Sequence, residues 1–185
     1  MNKRESIISE EAAKATEKLI RLKINFVAVD FDLTMIDLHT GGAWKGTALE
    51  LSQHIRPIFI DFIPHALERD IRIAICTFSP QTRLISEVLH IAFPNYYQSI
   101  VVRGRDRSWS YEGNGMKEGK QPYIASAATE MQLRYPGEDF TKTRTILIDD
   151  DRNNVLMALQ DGTRAIWLNE DDDDFQLLKD IQRLQ

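Results

Sequence analysis

Two aspartates one residue apart, Asp30 and Asp32, close the apolar run Asn25-Phe-Val-Ala-Val and lead into Leu33-Thr34. A second acidic group, Asp149-Asp150-Asp151, closes the run Thr145-Ile-Leu-Ile and is followed by Arg152-Asn153-Asn154. Between them in the chain, Ile71-Arg-Ile-Ala-Ile-Cys76 ends in Thr77-Phe78-Ser79. If these three run ends meet, four or five carboxylates repel one another and raise one another's pKa unless a cation neutralises them. A hard divalent ion does so with oxygen ligands, and Mg²⁺ typically takes a few carboxylates together with a substrate phosphate and water. The chemistry implied is a Mg²⁺-phosphate site. A single Asp after a strand is often only a helix N-cap, which is the plainer account of residues 149–151 taken alone. Two acids against the buried end of a strand need a stronger reason.

Such a site exists only if the elements bring the run ends together. Residues 25–30, 71–76, 99–102, 145–148 and 164–168 are short, continuous, β-branched runs, the pattern of strands covered on both faces. Helical spacing covers residues 57–68, 81–92, 120–134, 153–160 and 174–184, and residues 5–22 put Ile8, Ala12, Ala15, Leu19 and Leu22 on one face of an opening helix. Strand–helix alternation predicts a parallel sheet with helices on both faces. In open sheets of this kind ligands bind beyond the carboxyl ends of the strands, where all three polar clusters fall. Pro64 sits in what should be a helix interior, so the helix over 57–68 is expected to kink or start later. Residues 35–56, 104–119 and 135–142 read as irregular, and no repeat is visible.

Composition narrows the classes. The 185 residues make about one domain, residues 1–185, large enough for one real core. A formal charge of −5 disfavours a bulk electrostatic grip on nucleic acid or an anionic membrane, while leaving room for a local basic site. One cysteine excludes an internal disulfide and a Cys-rich zinc module, and Cys76 inside an apolar run reads as a small core residue. The polar opening MNKRESIISEE has no apolar stretch of signal-peptide length and no run approaches a membrane span, so the expected compartment is the reducing cytoplasm.

Along nearly the whole chain, in order, the motifs resemble those of the haloacid dehalogenase-like (HAD) superfamily: DxDxT in VAVDFDLT at residues 30–34, a strand ending in Thr77, a Lys opening a helix at Lys120 in GKQPYIASAA, and the acidic pair Asp149 and Asp150 with Asn154 in ILIDDDRNNV. Lys117 is the alternative to Lys120. The resemblance implies a Rossmann-like three-layer domain with a parallel five-stranded sheet ordered 5-4-1-2-3, and a Mg²⁺-dependent phosphatase acting on a phosphomonoester. It implies Asp30 as the nucleophile that forms an aspartyl-phosphate, and Asp32 as the acid and base that also lends its backbone carbonyl to the metal. Thr77 is then a phosphoryl hydrogen-bond donor and Lys120 the cation that offsets charge. Asp150 is the position that usually ligates the metal directly, with Asp30 and Asp149 beside it, and Asn154 orients the ligands or their waters.

Dehalogenation is disfavoured, because it needs no acid at the second Asp of the motif. A HAD-like protein that binds a phosphorylated ligand or partner without turnover, or a phosphotransferase, is the alternative. Cap domains inserted after the first motif or after the third strand have too little room here, since residues 35–56 and 104–119 fall short of the roughly 40 residues a separate core needs. Little or no cap is therefore expected, with a flap at residues 35–56 carrying His39-Thr40-Gly41-Gly42, and an open site that admits a bulky phosphorylated carrier, a macromolecule included, unless a neighbouring subunit serves as lid. Arg103, Arg105, Arg107, Trp109 and Tyr111 beside the third strand combine charge with aromatics suited to an extended anionic substrate, or form a solvated loop. The acidic run from Glu170 to Asp174 feeds the N-terminal dipole of the last helix.

Overall fold

Runs without polar alternation cannot face water on either side, and the chain answers by covering both faces of its sheet. The computed structural model describes residues 3–110, 119–169 and 174–185. Strands β1 (Phe26–Val29), β2 (Arg72–Cys76), β3 (Val101–Arg103), β4 (Thr145–Asp149) and β5 (Arg164–Trp167) form one parallel sheet in the order β3-β2-β1-β4-β5, the same order as 5-4-1-2-3 read from the other edge. Val27, Val29, Ile73, Ile75, Ile146 and Ile148 point to one side. There they meet α1 (Lys3–Arg21), α3 (Pro57–Leu67), α4 (Thr82–Ala92) and α7 (Asp174–Arg183). Phe26, Ala28, Ala74, Cys76 and Leu147 point to the other side, against α5 (Gln121–Arg134) and α6 (Arg152–Gln160). The alternation of side chains across each strand thus divides one apolar run between two cores.

Register does the positioning. Val29 pairs with Ile75 on β2 and with Ile148 on β4, so Asp30 leaves the sheet level with Cys76 and beside Asp149. The Asp30 amide donates to the Ile148 carbonyl at 3.0 Å, which holds that level one residue past the strand.

Four local expectations change. Strand β4 runs through Asp149, one residue beyond 145–148, because Asp149 pairs with Trp167 and its carbonyl accepts from Leu168 at 3.0 Å. β3 begins at Val101, since Tyr97–Ser99 turns as a short 3₁₀ segment. Helix α3 neither starts late nor breaks at Pro64: it starts at Pro57, whose missing N–H is harmless in the first turn, and continues to Leu67. The carbonyl that Pro64 leaves without its helical partner belongs to Ile60, on the exposed side. Within 35–56, a helical turn α2 (Ala48–Ser52) forms behind a Thr47–Glu50 capping box, and Ile36 pairs antiparallel with Ile55 to close the segment as a loop with a stem. Lys117, Tyr111 and residues 170–173 lie outside the described residues.

Candidate active site

Asp30 is almost fully buried just beyond β1, and its Oδ1 accepts from Lys120 Nζ at 2.5 Å. Lys120, at the entrance of α5, is buried as well and lies 4.0 Å above the Phe78 ring centroid. Burial pulls the ammonium toward neutrality, but Asp30 and then Asp149 outweigh it and leave the Lys120 pKa above its ordinary value.

After Asp30 the chain makes a wide turn over Phe31–Met35, closed by Met35 N–H to Asp30 O at 3.2 Å and Ile36 N–H to Phe31 O at 3.0 Å. Leu33 sits at φ +59°, a left-handed conformation that a leucine adopts only at a cost. The turn returns Thr34 to the acidic end of β4, where its hydroxyl donates to Asp150 Oδ1 at 2.9 Å and accepts from the Asp150 amide at 3.0 Å.

Asp149 has no solvent exposure. Its carboxylate accepts from the Asp151 amide at 2.9 Å and from Asn154 Nδ2 at 3.0 and 3.1 Å. Burial, and after it the neighbouring Asp30, push the Asp149 carboxyl up to about 7. The same two causes raise Asp150. One carboxylate oxygen from each of Asp30, Asp149 and Asp150 lies within 4.8 Å of the others. Three convergent oxygens, two of them on groups whose ionisation is opposed by burial and by a neighbouring charge, suit a hard divalent cation. Asp151 stands apart from them as the N-cap of α6, accepting from the Asn153 amide at 2.8 Å.

Asp32 does not join that cluster through its side chain. Its carboxylate turns to the flap, accepting from the Thr40 amide at 3.0 Å and the Thr40 hydroxyl at 2.8 Å, with His39 Nδ1 at 3.4 Å. Thr77 is buried, and its oxygen accepts from the Ser79 amide at 3.1 Å, which leaves the hydroxyl proton free to point into the site. Asp30, Asp32, Thr77, Lys120, Asp149, Asp150 and Asn154 all line one cavity of about 440 Å³, together with His39, Gly42, Phe78 and Arg105. A larger cleft, about 950 Å³ between α5 and α6, has Asp161 as its one lining carboxylate among the described residues.

Thr34, Thr40 and Phe78 have no role that spacing alone assigns. Thr34 carries a signal in hindsight, since it falls one turn past the acidic pair. Thr40 falls in the His39-Thr40-Gly41-Gly42 stretch expected in the flap, but spacing does not name its partner, which is set by how the flap folds back. The basic and aromatic residues from the end of β3 onward separate in space. Arg103 is tied to Glu130 and donates to Ser126 at 2.9 Å, and Trp109 packs on Tyr123 at 4.7 Å while its indole N–H donates to Gly104 O at 2.8 Å. Arg105 alone of the described members reaches the cavity.

No protein-family model and no curated protein sequence matches the chain. Solved structures do. The HAD domain of the effector protein Lem4 from Legionella pneumophila superposes with a TM-score of 0.52 at 15% identity, covering 85% of this chain and 93% of that one. The inactive mutant of the same domain matches at 14% identity, covering 85% and 92%, with the same TM-score. At that identity the likeness speaks for the fold: the chain has a HAD-like, Rossmann-like α/β architecture.

Proposed function

We propose that the protein is a Mg²⁺-dependent hydrolase of phosphomonoesters that works through an aspartyl-phosphate on Asp30. The observation that carries this reading is the Lys120–Asp30 pair at 2.5 Å beside three convergent aspartate oxygens in one cavity. A carboxylate attacks as an anion, and the ammonium of Lys120 is the cation placed against it.

In this reading Asp30 attacks phosphorus and the ester oxygen departs, taking a proton from Asp32. Water then attacks the phosphorus of the aspartyl-phosphate and gives its proton to Asp32 as the bond between Asp30 and phosphorus breaks, which releases inorganic phosphate and restores both carboxyl groups. Thr77 donates to a phosphoryl oxygen, and Lys120 balances the charge that moves between Asp30 and phosphate. Asp30, Asp149 and Asp150 would hold the metal with the Asp32 carbonyl, and Asn154 steadies Asp149 for that task. Bound Mg²⁺ would supply neutralisation of the transferring phosphoryl oxygens. Thr40 holds the Asp32 carboxylate in one orientation.

Ile36, Leu51 and Ile55 of residues 35–56 belong to the main core, which supports taking this segment as a flap and not a separate cap, so the reading keeps a phosphoryl group on a bulky carrier, a macromolecule included, among the substrates. Among the described residues no helix is long and apolar enough to cross a membrane. The reading places the enzyme in the cytoplasm on its one buried, unpaired cysteine. The test is phosphate release from a panel of sugar phosphates, nucleotides, phosphopeptides and end-phosphorylated oligonucleotides. Release should vanish with EDTA and return with Mg²⁺. Transfer of the phosphoryl group to an added acceptor in place of phosphate release would make the protein a phosphotransferase.

A further inference from the structure

We infer that Arg105 is a specificity residue that recognises a second anionic group carried by the substrate close to its phosphoester. The inference rests on the phosphate-binding reading above. Arg105 is exposed, lines the cavity that holds Asp30, and has no carboxylate partner among the described residues. Its neighbours are different. Arg103 is spent on Glu130, and the adjacent Asp106 is spent on the Thr82 hydroxyl at 2.5 Å and on the amide and hydroxyl of Ser108 at 3.1 and 2.8 Å.

The backbone that presents Arg105 is fixed against the segment between β2 and α4. Its amide donates to Ser79 O at 3.0 Å, in the loop that also carries Thr77. A Cβ at the preceding Gly104 would lie 2.4 Å from both Ser79 O and Thr82 Cγ2, so only glycine permits that approach. Lys120 Nζ lies 4.0 Å and the Arg105 guanidinium carbon 5.7 Å from the centroid of one ring, that of Phe78. Lys120 is consumed by Asp30. Arg105 is not, and it is an exposed cation on the wall of a site that also holds Asp30, Asp32, Asp149, Asp150 and Asp151. A planar guanidinium held in that place suits a carboxylate or a second phosphate on a short carrier, whether a small phospho-acid or a phosphorylated peptide with an acidic neighbour.

The experiment measures binding of matched phosphonates to the full chain with Mg²⁺, by calorimetry, so that it does not depend on turnover. Phosphonoacetate, 3-phosphonopropionate and 4-phosphonobutyrate are each paired with the alkylphosphonate of equal length, on the wild type and on Arg105→Gln and Arg105→Lys. The expected result is a preference of about 10- to 100-fold for the acid at one chain length, lost in Arg105→Gln and partly kept in Arg105→Lys. Any preference caused by chelation of Mg²⁺ survives in Arg105→Gln and is subtracted by it. An acid-to-neutral ratio that is equal in wild type and Arg105→Gln at every length overturns the inference. If none of the phosphonates binds the wild type, the phosphate-site reading fails first and the inference with it. Turnover of phosphoserine peptides with Asp or Asn beside the phosphoserine, against 3-phosphoglycerate and glycerol 3-phosphate, then tells a peptide source of the second anion from a small-molecule one.

Discussion

Asp30 is a buried carboxylate whose facing cation is the Lys120 ammonium. Asp30→Asn should fold and bind yet lose activity by several orders of magnitude, because an amide is neither a nucleophile of this kind nor an anionic ligand. A folded variant with a tenth of wild-type phosphate release would refute the assignment. Lys120→Met should cost about 3–5 kcal/mol in urea unfolding, since it leaves a buried carboxylate without its cation. The three consecutive aspartates should differ in kind. Asp150→Ala should raise the Mg²⁺ requirement most and Asp149→Ala less. Asp151→Ala should cost about 1 kcal/mol through the lost helix cap, with little effect on the Mg²⁺ titration. At this scale much was legible, because Asp30, Thr77, Lys120 and Asp149 each follow an apolar run or open a helix, and sheet register brings run ends together. The Asp32–Thr40 contact was not, since the partners lie eight positions apart across the flap and no periodicity specifies their meeting.

The flap is rooted in the main core through Ile36, Leu51 and Ile55, and pairings outside the core hold the rest of it. Its stem is the Ile36–Ile55 bridge, reinforced by Asp37 N–H to His54 O at 3.0 Å and Arg56 N–H to Met35 O at 2.9 Å. Its tip is moored by Gln81, whose amide oxygen accepts from Trp44 N at 2.7 Å and whose amide nitrogen donates to Trp44 O at 3.0 Å. Gly42, at φ +68°, lies where a Cβ would come 2.8 Å from Pro80 Cδ. Gly42→Ala should therefore displace the tip from the β2–α4 loop and weaken Thr40's hold on Asp32. We expect kcat on phosphomonoesters to fall several-fold while thermal stability falls by only about 1 kcal/mol. An equal loss of stability with unchanged kcat would mean that the flap has no part in proton transfer. Strands were legible as continuous apolar runs. The flap was not, because its order comes from pairings such as Trp44 with Gln81, 37 residues apart, that local patterning does not encode.

At the scale of the whole molecule, the acidic edge of the sheet opposes folding unless a cation is present. Asp149 has an ordinary carboxyl value of 3.8 when unfolded and is pushed up to about 7 when folded, by burial and then by Asp30. A folded-state pKa above the unfolded one means that the folded chain binds the proton more tightly. The contribution to stability is therefore complete below 3.8 and is lost as pH rises through about 7. Asp150 shifts in the same direction and adds to the trend. Metal-free protein in EDTA should accordingly lose thermal stability between about pH 4 and about pH 7, beyond what its other groups impose. Mg²⁺ binds the ionised carboxylates, so its stabilising effect should grow across the same interval and be larger at about pH 8 than at about pH 5. Asp149→Asn removes the titrating group while keeping a similar shape, and should flatten the metal-free profile and shrink the Mg²⁺ shift at about pH 8. Melting temperatures of wild type and Asp149→Asn, each with EDTA and with Mg²⁺ at both pH values, check this directly. A Mg²⁺ shift in the wild type that is the same at both pH values would show that the buried carboxylates at the end of β4 are not what the metal relieves.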